Sequence, residues 1–251
     1  MMRASLFEVW KLAQRTLEGA GVPDGHDREG AFAVQWLSER GFPGFEMFSE
    51  ATPEMADRWA LSIMGEVELQ AGGCPLVSLG ADVIDFCAAA AEAAEGGVAT
   101  VTVLGARGPA CLLPFAARRC LNAGVCQIQW TTTAGVGFTA IVAGAETIWI
   151  DGPPGLSAEE AGQDICDIAT PVDIIITFDR AGAALRAGEG APDGRLLSPD
   201  ILKKRRAACL AHGVEIAQPL WDRMATAARA VLVPASRHSR ELGAGGGDAN
   251  D

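Results

Sequence analysis

The run Val98-Ala99-Thr100-Val101-Thr102-Val103-Leu104 is rich in β-branched residues, alternates along its length and reads as a half-buried strand. Three further strand-like runs follow at 125–133, 136–142 and 147–150. Only Ala134-Gly135 and the segment 143–146 separate them. A parallel crossover needs about a dozen residues or more, so links this short force antiparallel hairpins. Residues 172–178, rich in Ile, add a strand expected at the centre of the sheet. A doubly wound parallel fold is therefore disfavoured over a mainly antiparallel one.

Upstream of the sheet the period lengthens. Ser5-Leu6-Phe7-Glu8 is a capping box, and Leu6, Val9, Trp10, Ala13 and Leu17 follow at helical spacing until Gly19 and Gly21. A second helix is expected over 27–39, with Phe32, Trp36 and Leu37 on its apolar face, and Gly41-Phe42-Pro43-Gly44 breaks it. Thr52-Pro53-Glu54 predicts the opening of a third, which would turn Trp59, Ile63 and Met64 towards the core. After the Gly72-Gly73-Cys74-Pro75 turn, 82–95 reads as an Ala-rich helix ended by Gly96-Gly97, and 112–122 as a short one. Ser198-Pro199-Asp200 opens a helix ending near His212-Gly213, and 219–231 forms another.

Together these elements predict an α+β chain. A helical N-terminal region (1–71) precedes an α/β core (72–232), in which helices flank the central, mainly antiparallel sheet and a helical pair closes the C-terminal side. A polar, Gly-rich C-terminal arm (233–251) follows, and all three are expected to form one folded unit.

Acidic residues outnumber basic ones 32 to 20, for a net charge of -12. That balance opposes binding to nucleic acid or anionic lipid unless a basic patch is segregated. The densest basic run, Lys203-Lys204-Arg205-Arg206, reads as a solvated helix face, so neither nucleic acid nor a membrane is an expected partner. The 7 cysteines include no C-x-x-C pair, and Cys87 and Cys126 lie in apolar runs, which is the pattern of reduced core thiols. Glu8, Lys11, Gln14 and Arg15 interrupt any signal-peptide profile, and no apolar stretch is long enough to span a bilayer. These features point to a cytoplasmic protein. The wealth of Ala and Gly, and of Arg over Lys, suggests a G+C-rich bacterial source.

Motifs for chemistry are sparse. His26 lies in a turn ahead of a helix and His212 at a helix end, and no His or Cys pair has ligand spacing, so no metal site is expected. Neither G-x-S-x-G nor S-x-x-K with its partners occurs, and Asp164/Asp167 and Glu66/Glu68 read as solvated positions. His238 differs in its neighbours. Ser236, Arg237, His238, Ser239 and Arg240 place two guanidinium groups, an imidazole and two hydroxyls together, a set suited to a carboxylate or phosphate. The glycines from Gly243 onward would let backbone amides approach such an anion, or would simply form a flexible tail. Arg107 is a sixth candidate, in the Gly105-Ala106-Arg107-Gly108-Pro109 loop between the best strand and a helix. That loop lacks G-x-G-x-x-G and a Walker lysine, and an ordinary strand–turn–helix connection competes with the binding reading. No cofactor is indicated.

The C-terminal run Val233-Pro234-Ala235-Ser236-Arg237-His238-Ser239-Arg240 and the ending Gly243-Ala244-Gly245 through Asp248-Ala249-Asn250-Asp251 resemble an uncharacterised bacterial family, domain of unknown function 3726. Ser5-Leu6, Glu8-Val9, Ala20-Gly21 and Trp36-Leu37 with Arg40-Gly41 and Pro43-Gly44 are similar to it too. The segment Gly247-Asp248-Ala249-Asn250-Asp251 departs from it, since the family places an apolar residue and Thr before the last Asp-Asn-Asp. This resemblance implies no reaction. The N-terminal layout also looks like the non-Rossmann malate/L-lactate dehydrogenase family, whose first helices lead to a Gly-x-x-Ser-His-Gly turn. Here the comparable residues are Gly41-Phe42-Pro43-Gly44-Phe45-Glu46, so the acid/base role of that histidine passes to no residue of this chain.

Two readings follow. One is a small-molecule enzyme or ligand-binding protein acting on an anionic metabolite through Arg237, Arg240 and His238. The other is a non-catalytic subunit that docks on a partner enzyme, or on a second copy in a homo-oligomer, through its C-terminal arm. An arm packed beside its own pocket would favour the first, and one crossing to a neighbour the second.

Overall fold

The computed structural model describes residues 1–55, 61–65, 67–121, 124–157, 165–182 and 195–231. Trp59 and the whole arm 233–251 lie outside these residues, and with them five of the six candidate ligands, Ser236, Arg237, His238, Ser239 and Arg240.

The architecture is α+β, with a mainly antiparallel sheet and flanking helices. β1 (Met2–Ala4) leads into α1 (Leu6–Gly19), α2 (His26–Glu39) and α3 (Gly44–Met55). A hairpin of β2 (Ser62–Gly65) and β3 (Glu68–Gln70) precedes α4 (Leu76–Ala93) and β4 (Val98–Ala106). A short 3-10 turn then joins α5 (Leu113–Arg119), followed by β5 (Val125–Thr131), β6 (Gly137–Val142), β7 (Ile148–Asp151) and β8 (Val172–Asp179). β9 (Arg195–Leu197), α6 (Pro199–His212), β10 (Val214–Ile216) and α7 (Gln218–Ala228) complete the described chain.

Eight strands form one sheet in the order β2-β3-β4-β8-β5-β6-β7-β9, and β3–β4 is its parallel pairing. β8 sits between β4 and β5, the central place its Ile-rich sequence predicts. One face is apolar, with Val101, Val103, Ile128, Ile174 and Ile176 buried, and α4 packs on β4 and β8. The other carries Thr100, Thr102, Gln129, Thr131, Asp173 and Thr177, where Thr100 and Thr177 share a hydrogen bond of 3.0 Å. One greasy face and one polar face are what an antiparallel sheet allows.

The helical layer is built by α1 on α2 and α2 on α4. Both halves of the expected capping box are made: Glu8 N–H donates to Ser5 Oγ (3.2 Å) and Ser5 N–H to Glu8 Oε2 (2.8 Å). All seven cysteines are free, six of them buried. Burial pushes the Cys87 and Cys111 thiols up to about 12, so they stay protonated and act as small apolar groups. No described helix is long and apolar enough to cross a membrane.

Several boundaries differ from the expectation. α3 begins at Gly44, within the segment read as a breaker, and Thr52-Pro53 falls in its last turns instead of opening it. Tertiary contact decides this, because a Cβ on Gly44 would lie 2.8 Å from both the Leu37 Cβ and the Val34 carbonyl oxygen. Only glycine lets the start of α3 approach α2 so closely. Ile63 and Met64, expected to face the core from a helix, are 68% and 63% exposed on β2. α4 starts at Leu76, not at Asp82, because its first turns are buried all round and show no amphipathic period. Gly80 belongs to those turns, and a Cβ there would meet the Phe115 ring at 2.7 Å.

Candidate functional site

The turn between α2 and α3 forms one wall of a groove of about 560 Å³. α2 ends on Glu39, and Gly41 adopts φ +73, where its N–H reaches Ser38 O (3.1 Å) and Phe42 N–H reaches Leu37 O (3.0 Å). This is a glycine-capped helix end, and Gly supplies the left-handed conformation without strain. Pro43 follows, and its carbonyl accepts the first helical bond of α3 from Met47 N–H (2.9 Å). Ser38, Gly41, Pro43 and Glu46 thereby face the groove from one side.

The opposite wall is α6, which contributes Arg205, Cys209 and His212, and β1 with β10 close one end. Arg3 and Glu215 are direct cross-strand partners in that small sheet and pair at 2.8 Å. The Arg205 stem lies over Gly41, with its Cδ 3.0 Å from where a Cβ on Gly41 would stand. Its half-buried guanidinium makes no ion pair among the described residues. The Ser38 hydroxyl is buried and lacks a hydrogen-bond partner there.

Beside the groove lies a charged cluster that holds α6 in place. Arg40 is 4% exposed and stacks over the Trp36 ring at 4.0 Å. It reaches Glu39 at 2.9 Å and Glu146, in the β6–β7 turn, at 3.4 Å. Arg206 of α6 bonds to the same two carboxylates, Glu39 and, at 2.8 Å, Glu146. Burial pulls the Arg40 guanidinium below its ordinary value, while Glu39 and Glu146 oppose that shift. The hydrogen bond that Arg206 donates to Glu39 raises its guanidinium above the ordinary value. The cluster thus sets two guanidinium groups against two carboxyl groups.

The run Lys203-Lys204-Arg205-Arg206 is thus split. Lys203 and Lys204 are exposed as expected, but Arg205 and Arg206 turn inward, one to the groove and one to the cluster. The spacing holds the missed signal, since 202, 205, 206 and 209 share one helical face with the buried Leu202.

Arg107 lies just after β4, half-buried. Its N–H donates to Cys74 O (3.2 Å), its carbonyl accepts from Leu76 N–H (3.0 Å), and the Gly105 N–H before it is held by the Asp173 carboxylate (2.9 Å). These backbone bonds tie the loop to the start of α4. A Cβ on Gly108 would meet Ile168 at 3.3 Å and Met47 of α3 at 3.8 Å, so the loop abuts the helix that carries Glu46. His26 opens α2 and its Nε2 lies 2.9 Å from Asp82 of α4. His212 is the last residue of α6. No group of three or more potential metal ligands occurs among the described residues.

At the position that the dehydrogenase pattern gives to histidine stands Phe45. It is fully buried and stacks on Trp221 of α7 with centroids 5.8 Å apart. Its side chain serves packing.

Solved structures with this fold include a dehydrogenase from Sinorhizobium meliloti, at TM-score 0.64 and 16% identity, covering 90% of this chain and 99% of that one. Malate dehydrogenase from Entamoeba histolytica is similar at TM-score 0.61 and 9% identity, over 93% and 99% of the two chains. Sulfolactate dehydrogenase from Methanocaldococcus jannaschii is similar at 0.59 and 12%, over 96% and 98%. At such identities the likeness concerns the fold alone. No curated protein matches the sequence. Residues 4–97, the stretch that builds α1 to α4 and one wall of the groove, match the family described as Protein of unknown function (DUF3726).

Proposed function

We propose that this protein binds a small anionic metabolite of the carboxylate class in the groove between the 41–44 turn and α6, and acts on it there. The observation that carries the reading is Arg205, a half-buried guanidinium without an ion pair among the described residues, in a chain of net charge -12. Arg presents its donors in a planar fork matched to a carboxylate, and partial burial strengthens that bond. The unpartnered Ser38 hydroxyl on the facing wall is available as a second donor, and His212 as a third. Malate and sulfolactate, named for two proteins of similar fold, are small anions of the size such a groove accepts. With Phe45 at the histidine's place, any proton transfer would fall to other groups, and His212 on the groove wall is the available imidazole.

The reading is tested by calorimetric titration of malate, sulfolactate and inorganic phosphate into wild type and Arg205→Gln. Saturable binding of a carboxylate, weakened about tenfold or more in the variant (about 1.4 kcal/mol), is expected. Failure of the wild type to bind any of them, or full affinity in Arg205→Gln, defeats it. Arg107, Ser236, Arg237, His238, Ser239 and Arg240 enter the same series as proposed anion contacts. Loss of binding in Arg237→Gln or Arg240→Gln, with Arg205→Gln unaffected, would place the site in the C-terminal arm. If no anion binds at all, a non-catalytic subunit that docks through the arm becomes the better reading.

A further inference from the structure

A second groove, of about 380 Å³, runs between α1 and α7. Thr16 Oγ1 of α1 donates to the Met224 carbonyl of α7 (3.2 Å), which fixes the two helices against each other. Val9, Ala13 and Leu17 point into the core, and this leaves Phe7 and Leu12 of α1 facing Trp221, Ala225 and Ala228 of α7 across the groove. Phe7 is 68% exposed. Leaving an aromatic side chain in water forfeits about 25 cal/mol per Å² of apolar surface, so such a floor gains from being covered.

The rim is cationic. Lys11, Arg15 and Arg229 line it, and none makes an ion pair among the described residues. Among the described residues Lys11 is held by Gln14 (3.3 Å) and the Trp10 ring (5.7 Å). Glu8, the acidic residue of the described lining, already accepts bonds from the Ser5 backbone and hydroxyl at the helix cap. Other arginines do find carboxylates, as Arg118 does with Glu29, Arg119 with Glu92 and Arg195 with Asp151. Three cations without an ion pair among the described residues therefore gather around an apolar floor in a chain of net charge -12.

From this juxtaposition we infer that the α1–α7 groove is a binding site for a small amphiphilic carboxylate, whose apolar body lies on Phe7 and Trp221 while its head group meets Arg15 and Arg229. The volume sits at the low end of ligand pockets, roughly 300–1,000 Å³, which suits a medium-chain acyl or aryl body. A neutral or cationic amphiphile would gain the floor but not the rim.

The test is calorimetric titration of the full chain with octanoate and, as a charge-reversed probe, octylammonium. Saturable binding of octanoate at least tenfold tighter than that of octylammonium is expected. The double variant Arg15→Gln/Arg229→Gln should lose that preference while its ligand-free unfolding midpoint stays near the wild-type value, because both side chains are exposed. Arg205→Gln, at the other groove, should leave octanoate binding intact, so the two proposals fail independently. Equal binding of the two probes, full affinity in the double variant, loss of octanoate binding in Arg205→Gln, or no saturable binding would each overturn the inference. So would a photocrosslinker at position 7 that captures the same molecule's own residues in place of an octanoate-competed probe.

Discussion

α4 and α6 are both regular helices, yet they are attached to the molecule by different physics. α4 buries eleven of its 18 residues, from Leu76 to Ala91, against the sheet and α5. α6 buries only Leu202 among 14. What holds α6 is a serine cap, the Arg206 contacts to Glu39 and Glu146, and the Arg205 stem over Gly41. Apolar burial scales with area and hardly responds to salt, whereas exposed ion pairs are worth about 0–1 kcal/mol and weaken as ions screen them. The molecule thus combines a rigidly packed scaffold with a lightly clamped wall, and the candidate anion groove lies where the two meet.

The contrast can be broken at either end. On the scaffold side, Phe115→Ala empties the ring that packs on Gly80 of α4 and should cost about 3–5 kcal/mol in chemical denaturation. A much smaller loss would mean that the α4 layer is less tightly packed than its burial indicates. At the junction, Gly41→Ala forces a side chain into a left-handed position, with a cost of about 1–2 kcal/mol. It should also displace Arg205 and so weaken anion binding more than stability alone explains. On the clamp side, Arg206→Ala should change global stability by less than about 1 kcal/mol, because that guanidinium is 40% exposed. Amide hydrogen exchange should nonetheless quicken across α6 and not across α4. Raising the salt from 0.15 to 1 M, which shortens the screening length from about 8 to about 3 Å, should reproduce that pattern in the wild type. Equal protection of α4 and α6 under these conditions would erase the distinction.

The same division explains what the sequence disclosed. β4, β5, β6 and β8 were legible because burial on one face writes a period of two, and the α1 cap because Ser5 and Glu8 are local partners. β1, β9 and β10 have three residues each, too few to carry a period. Their pairing is set by partners far along the chain, as Met2 is with Ile216. The start of α3 is masked in the sequence because Thr52-Pro53 mimics an N-terminus, while the deciding contact, Gly44 on Leu37, is tertiary. The inward turn of Arg205 is hidden for a related reason. A run of four cations reads as a solvated face unless its register against Leu202 and Cys209 is followed, and nothing local shows that Glu39 and Glu146 converge on Arg206. That residues 41–46 hold no histidine, by contrast, is legible in the sequence itself, and the structure adds that Phe45 lies in the core.

The small sheet of β1 and β10 has a temporal consequence. It joins residues 2–4 to residues 214–216, and Gly213 lies so close to Ala4 that a Cβ there would be 2.7 Å from its carbonyl oxygen. Arg3 on one strand and Glu215 on the other form the end of the groove that carries Arg205. During synthesis, then, the opening strand must wait for nearly all of the described chain to emerge before it finds its mate. A contact of such long sequence separation forms late, because a large loop must close first. The end of the groove is consequently expected to close only once that clasp has formed.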